Sequence, residues 1–367
     1  MSNLALAHDH LFQIGGAERI LHEFSELYPQ APIFTLISDK NRNSLFQKSL
    51  INTSYLQKLP LSSHYFKWLL PLMPTAWESF SFDEYDVVLS SSSAFVKGLI
   101  TQPKTLHICY CHTPTRYLWS DSQEYVHNLH LPGIAKVYLR HLLSQLRQWD
   151  ELAAQRVDYF IANSNFIAEK IKKYYHRDSI VIYPPVKVND FSLSETIEPY
   201  YLIISRLRPY KRVDLAIKAF NALRLPLYII GGGEEYKHLK SLAKANIRFL
   251  GEVTDQQRNY YLSRCQALIH PQEEDFGITI IEAMASGRPV IAYGSGGATE
   301  TVQNNLTGKL FFEQTWESLA DAIINFRSLK LDPSYIRQQA LPFDSKNFRQ
   351  AINNLVQKKV AEHASTN

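Results

Sequence analysis

Short apolar runs alternate along the whole chain with longer stretches in which apolar residues recur every three or four positions. The runs predict strands and the recurrences predict helices, because strand side chains alternate faces and helix side chains share a face about every 3.6 residues. Strands are expected at Leu4–His8, Asp86–Ser90, Leu106–Cys111, Asp158–Ala162 and Ile180–Tyr183, with helices at Glu18–Tyr28 and Gly133–Arg156. Pro184 and Pro185 stop this half, and Val186–Pro199 is mixed and polar, as an interdomain linker would be. The pattern then restarts. Strands are expected at Tyr201–Ser205, Leu227–Ile230, Ile247–Leu250, Ala267–His270 and Val290–Tyr293, with helices at Val213–Leu223 and, after a turn at Pro342, Phe343–Ala361. Strands alternating with helices imply parallel sheets joined by right-handed crossovers. The expectation is an α/β chain of two doubly wound, Rossmann-like domains facing a cleft. The boundaries expected are residues 1–190, 191–342 and a terminal helix at 343–367.

In open parallel sheets, ligands bind beyond the carboxyl ends of the strands. Asp9, Gly15, His112, Arg206, Lys211, Gly231, Glu274 and Gly294 each follow a predicted strand. The loop Gln13–Ala17 brings Gly15 and Gly16 to a helix start, where free N–H groups suit a phosphate. No G-x-G-x-x-G fingerprint occurs, so the two glycines fit a plain turn equally well. Asp9 and His10 either face an acceptor or cap the turn after their strand. Arg206 and Lys211 lie five apart across Pro209 and suit a diphosphate, the arginine by forked N–H donors and the lysine as a point charge. Surface salt bridging is the alternative for that pair. A lone histidine such as His112 is more often structural than functional. Ser295–Gly297, with Thr299 and Glu300, either approach phosphates or form a turn.

The most informative stretch is His270–Val290, HPQEEDFGITIIEAMASGRPV. Pro271 ends a strand and Gly277 permits close backbone approach. Ile278, Ile281 and Ala285 then recur at helical spacing before Gly287 in a C-terminal cap position. Glu282 falls inside that apolar arc, where a carboxylate needs hydrogen-bonding partners. Glu274 lies eight positions earlier, in the loop that feeds the helix. Two carboxylates thus flank a helix N-terminus, whose N–H groups and dipole favour an anion. A ligand with hydroxyls at two ends and phosphate between them, such as a sugar nucleotide, has the matching shape. The alternative is a surface loop and an amphipathic helix with a salt-bridged glutamate.

Composition narrows the classes. The 367 residues are 45% hydrophobic and 20% charged, ordinary for a soluble globular protein of two domains. A net charge of +4 without a clustered patch does not imply nucleic acid. Between Asp39 and Glu78 no acidic residue occurs, while Lys40, Arg42, Lys48, Lys58 and Lys67 alternate with Tyr55, Tyr65, Phe66, Trp68 and Leu72. Residues 40–78 therefore suit either peripheral contact with an anionic membrane or an excursion packed on the N-terminal domain with a solvated basic face. The three cysteines, Cys109, Cys111 and Cys265, form no disulfide framework, and no His/Cys set has zinc spacing. The N-terminus does not read as a signal peptide and no stretch is apolar enough to span a bilayer. A cytoplasmic enzyme is expected, peripheral at the inner face of the cytoplasmic membrane if the basic segment meets lipid.

These motifs resemble those of the retaining glycosyltransferases of family four, the group 1 glycosyltransferases. The resemblance covers almost the whole chain and is strongest in the C-terminal half, where two glutamates stand with seven residues between them. It implies a GT-B fold, a hexosyltransferase activity and a last helix that returns to the N-terminal domain. It implies that Glu274, with the loop residues Phe276, Gly277 and Ile278, holds the donor sugar, and that Glu282 holds the nucleotide ribose. Arg206 and Lys211 would neutralise the departing diphosphate, and Gly15, Gly16 and Gly231 would approach the donor. His112 would contact the donor sugar and be needed for turnover. Asp9, His10, Arg116, Tyr117 and Trp119 would shape the acceptor side.

The string HTPTRYLW resembles a subgroup acting in cell-surface polysaccharide assembly that includes mannosyltransferases. GDP-mannose is therefore the first expected donor, with UDP-hexoses open, and a glycan or lipid-linked molecule the acceptor. The resemblance also implies retention at the anomeric carbon, without a cofactor beyond the nucleotide sugar. No acidic metal-binding triad is evident, so metal-independent leaving-group stabilisation is expected. Two other readings stay open: a nucleotide-sugar epimerase of the same architecture, and a non-catalytic sugar-nucleotide-binding scaffold.

Overall fold

A computed structural model of the protein describes residues 3–13, 15–39, 44–59, 66–129 and 131–366. Its contacts divide the chain into two compact units, Met1–Tyr183 with Phe348–Asn367, and Pro184–Asn347. The first unit carries strands Leu4–His8 (β1), Ile33–Thr35 (β2), Ile51–Thr53 (β3), Val87–Ser92 (β4), Leu106–Cys111 (β5), Tyr159–Ala162 (β6) and Ser179–Val181 (β7). They form one parallel sheet in the order β3-β2-β1-β4-β5-β6-β7. The second unit carries Tyr201–Ile204 (β8), Leu227–Ile230 (β9), Ile247–Gly251 (β10), Leu268–His270 (β11), Val290–Tyr293 (β12) and Gly308–Phe311 (β13). Its parallel order is β10-β9-β8-β11-β12-β13. The order reverses between β1 and β4 in one sheet and between β8 and β11 in the other. At such switch points the loops leave in opposite directions and open a crevice for a ligand.

The strands read as continuous apolar runs because both sheet faces are covered. Every residue of β1, β4 and β5 is buried. Leu4 and Leu6 enter a core with Phe24, Leu89 and Ile108, whereas Ala5 and Ala7 enter another with Phe34, Trp77 and Val88. In the second unit Ile203, Phe220, Ile229, Ile269 and Ile323 share a core.

The last helix spans Ser345–Thr366, past the expected end at Ala361. Its Phe348, Ile352 and Val356, spaced at four, fill the first unit's core beside Phe24. The rings of Phe24 and Phe348 lie 5.9 Å apart, and Arg349 Nε donates to Glu23 Oε2 at 2.5 Å. By contacts the first unit ends at Tyr183 and resumes at Phe348. The reason is local: Val186 N–H donates to Phe343 O at 2.8 Å and Val188 N–H to Asp344 Oδ2 at 3.2 Å. The short strands β2, β3 and β13 were not legible as apolar runs.

Within the basic stretch, Lys40, Arg42 and Tyr65 lie outside the described residues, as does the Lys67 side chain. The remainder carries β3, 3-10 turns at Ser44–Phe46, Tyr55–Lys58 and Phe66–Leu72, and a helix at Met73–Glu78. Leu56, Leu70, Met73 and Trp77 are buried in the core, while Leu50, Tyr55, Trp68 and Leu72 are exposed.

Candidate functional site

In the second unit the polar residues converge at the β8/β11 switch point. Lys211 ends a 3-10 turn, Pro209–Lys211, that follows β8, and Glu274 lies in the loop after β11. Lys211 Nζ donates to Glu274 Oε2 at 2.5 Å, and Gln272 Nε2 donates to the same oxygen at 3.0 Å. Among the described residues nothing engages Oε1, so one carboxylate oxygen is anchored and the other is available to a ligand hydroxyl. Burial pushes the Glu274 carboxyl up, but the charge of Lys211 and then that of His270 outweigh it and leave it at about 2. The carboxylate is therefore ionised at neutral pH. Arg206, two residues beyond β8, is exposed and has no ion-pair partner among the described residues. The unit thus offers a held carboxylate, the ammonium that holds it and an uncommitted guanidinium.

The backbone around this cluster is tightly made. Gly277 caps the helix Ile278–Ala285 with φ +89°, and a Cβ there would lie 2.9 Å from Ile280 Cδ1. Gly231 has φ +123°, and a Cβ would sit 2.0 Å from Ser205 O, so the ends of β8 and β9 can meet only at a glycine. Gly297 N–H donates to Glu274 O at 2.9 Å, tying the downstream glycine loop to the backbone of the motif loop. Ile278 opens the helix half-buried, whereas the Phe276 side chain is buried near Phe343, so only its backbone is available to a donor. Glu282 is buried on the inner side of its helix, 3.6 Å from Arg258 Nη1.

In the first unit the structure separates residues grouped as acceptor-binding. Asp9 is buried, and its two carboxylate oxygens accept the backbone N–H groups of Ser93, Ala94, Phe95 and Val96 at 2.7–2.8 Å. The turn it caps is the one after β4, not the one after its own strand, and this commits the carboxylate. Trp119 Nε1 donates to Asp150 Oδ2 at 2.8 Å, and its ring stacks on Tyr174 at 4.9 Å. Asp150 also meets Lys97 Nζ at 2.6 Å, Thr115 Oγ1 at 2.9 Å and the Tyr175 hydroxyl at 2.7 Å. Trp119 thereby anchors the 112–119 loop. His10 stacks on Phe12 at 4.3 Å and near Phe66, and burial lowers its pKa to about 4. Tyr117 packs against Phe95 and Tyr125, and Arg116 is half-buried beside it. Gly15 caps the helix Gly16–Leu27, with its N–H donating to Glu18 Oε2 at 2.8 Å. His112 follows β5, nearly buried, with Nε2 2.8 Å from Ser91 Oγ. Burial lowers its pKa to about 3, so it is neutral at working pH.

Residues 187–341 match the family described as glycosyl transferases group 1, and residues 14–190 match that described as glycosyltransferase family 4. The chain belongs to the group 1 glycosyltransferases of family 4. Its two parallel-sheet units are the GT-B fold. Among relatives of this glycosyltransferase, an alpha-1,3/1,6-mannosyltransferase ALG2 of Rhizomucor pusillus is 27% identical over 64% of this chain and 61% of its own. The O-antigen chain mannosyltransferase RfbU of Salmonella typhimurium is 29% identical over 60% of this chain and 64% of its own. The chain thus spans less than two thirds of either relative's length. Anabaena Alr3699/HepE, solved in complex with UDP and glucose, superposes with a TM-score of 0.70 at 19% identity, covering 97% of this chain and 99% of that one.

His8, Glu18, Ser91, His270, Gln272 and Arg258 were not legible as site residues, although each meets one of the candidates or a side chain that does. Gln272 carried a usable signal, standing two residues before Glu274 in an extended loop. His8 and Ser91 carried none, because His8 reads as the end of a buried strand and Ser91 as one of a run of four serines.

Proposed function

We propose that this glycosyltransferase moves a hexose, mannose first, from a nucleotide sugar to a glycan or lipid-linked acceptor in cell-surface polysaccharide or glycolipid synthesis. The observation that carries the reading is the Lys211–Glu274 pair at a sheet switch point, with Arg206 uncommitted beside it in sequence. On this reading the second unit takes the donor. Glu274 accepts a sugar hydroxyl through Oε1, while Lys211 and Arg206 meet the charge that builds on the departing diphosphate. Fixed cations aimed at developing charge lower the barrier, and removing one such group costs about a hundred- to a thousandfold in rate. Transfer proceeds with retention on one face, the donor phosphate taking the acceptor proton, and needs no metal. GDP-mannose is favoured by the HTPTRYLW resemblance and by relatives that are mannosyltransferases by name.

Binding is tested first by thermal shift with GDP-mannose, UDP-glucose and UDP-galactose. A ligand at a hundred times its Kd stabilises the native state by about 2.7 kcal/mol. A shift confined to a UDP-hexose would replace the donor assignment. The anomeric proton of the transferred sugar, read by NMR, tests retention, and an inverted product overturns it. Donor converted without any acceptor would establish the epimerase reading, and absence of turnover with every donor would establish the scaffold.

The first unit is also proposed to rest on anionic lipid from the cytoplasmic side. Leu50, Trp68 and Leu72 are exposed within a stretch that lacks acidic side chains. No helix of the described residues is long and apolar enough to cross a membrane. Co-sedimentation with phosphatidylglycerol vesicles but not phosphatidylcholine vesicles is the expected result, and equal binding to both or neither would refute it.

A further inference from the structure

A chain of hydrogen bonds runs through the first unit from a backbone carbonyl to His112. His8, the last residue of β1, lies opposite Ser91 of β4. Its Nδ1 is 3.0 Å from Ser91 O and 3.1 Å from Ser91 Oγ. A carbonyl oxygen only accepts, so His8 Nδ1 carries a proton. The Ser91 hydroxyl has two neighbours, His8 Nδ1 and His112 Nε2 at 2.8 Å. With the first already a donor, the hydroxyl proton turns to the second. His112 Nε2 then accepts, and a neutral imidazole that accepts at one nitrogen carries its proton on the other. His112 Nδ1 is bonded to no described residue and is not among the enclosed orphan atoms.

We infer that Ser91 and His8 are positioning residues that lock His112 in the Nδ1–H tautomer, so that it meets the sugar nucleotide as a hydrogen-bond donor and not as a base. The use of that donor rests on the function proposed above; the tautomer does not. The order of events follows from topology. The β1/β4 register sets His8 against the Ser91 carbonyl, and the β4/β5 pairing brings His112, one residue past Cys111, to the hydroxyl. Glu18 closes the far end, with Oε1 3.8 Å from His8 Nε2 and Oε2 accepting the Gly15 N–H, so the glycine loop and His112 are joined through three side chains, Glu18, His8 and Ser91.

The test is long-range proton–nitrogen NMR of the full-length protein labelled with ¹⁵N-histidine at pH 7, with the His112 signals assigned by their loss in His112→Gln. The expected spectrum has a protonated-type Nδ1 and an unprotonated-type Nε2 for His112. The reverse pattern, or fast exchange between the two, in the wild-type protein overturns the proposal. In Ser91→Ala the tautomers should mix, and in Ser91→Thr, which keeps the hydroxyl, the single form should return. A Ser91→Ala spectrum identical to wild type also overturns it. With an active donor, kcat should fall about three- to tenfold in Ser91→Ala with KM little changed, as loss of one neutral hydrogen bond implies. Should kcat stay level while the tautomer mixes, the lock stands and the assignment of His112 to the reaction fails.

Discussion

Lowering the pH from 7 to 5.5 should destabilise the first unit through histidines that are buried in neutral form. His107 is fully buried, with Nε2 2.8 Å from Ser90 Oγ, and burial lowers its pKa to about 3; His112 is lowered to about 3 by the same cause. In the unfolded chain each returns to about 6.5. Both folded values lie below the unfolded one, so the unfolded chain takes up protons that the folded chain refuses. The stability these groups contribute is complete above pH 6.5 and is lost progressively as pH falls toward 3. Between pH 7 and 5.5 the loss is about 1.2 kcal/mol for each, or about 2.5 kcal/mol together. His10, with a pKa near 4, also stays neutral across this interval and adds a similar share. That is a large part of an ordinary domain stability of about 5–15 kcal/mol. Glu18 and Glu274 do not enter this window, since each sits at about 2 and its contribution is lost only below its ordinary value of 4.5. Urea unfolding followed by tryptophan fluorescence is the assay, because Trp68, Trp77, Trp119 and Trp149 lie in the first unit and only Trp316 in the second. The midpoint should move to lower urea with an unchanged slope. His107→Gln should reduce the pH dependence by about 1.2 kcal/mol over the same interval. If that variant keeps the full wild-type dependence, His107 is not the buried neutral group argued here.

Three further outcomes are expected. Lys211→Gln should cut turnover about a hundredfold or more and let the Glu274 carboxyl rise from about 2, its chief opposing charge being gone, as carboxyl-carbon NMR titration would record; an unmoved titration would show that Lys211 does not hold the carboxylate. Asp150→Ala should cost about 3–5 kcal/mol in urea unfolding, because it strands the buried Lys97 ammonium and frees Trp119, Thr115 and Tyr175 at once, and a cost under about 1 kcal/mol would remove the anchoring role. Ile352→Ala should destabilise by about 2–5 kcal/mol and make the last helix a site of early proteolysis, whereas a neutral effect would mean that the helix contributes little to the first unit.

The alternation of buried strands with amphipathic helices was legible in the order of residues, because burial on both sheet faces leaves uninterrupted apolar runs and because helices repeat their apolar positions locally. The setting of Glu274 between a strand end and a glycine-capped helix was legible as well, since these parts are neighbours in the chain. The three- and four-residue strands β2, β3 and β13 escaped, being too short to carry a pattern and dependent on a neighbouring strand for their form. The fate of Asp9 could not be read either. Its side chain turns to four N–H groups more than eighty residues away, and only the β1/β4 pairing brings them within reach. Likewise Trp119 finds Asp150, His112 finds Ser91 and Lys211 finds Glu274 across strands or helices that the chain visits at different times. Local order determines which residues stand at strand ends. Which of those residues touch, and therefore which are held and which are left for a ligand, depends on sheet order and register, long-range quantities that no local window contains.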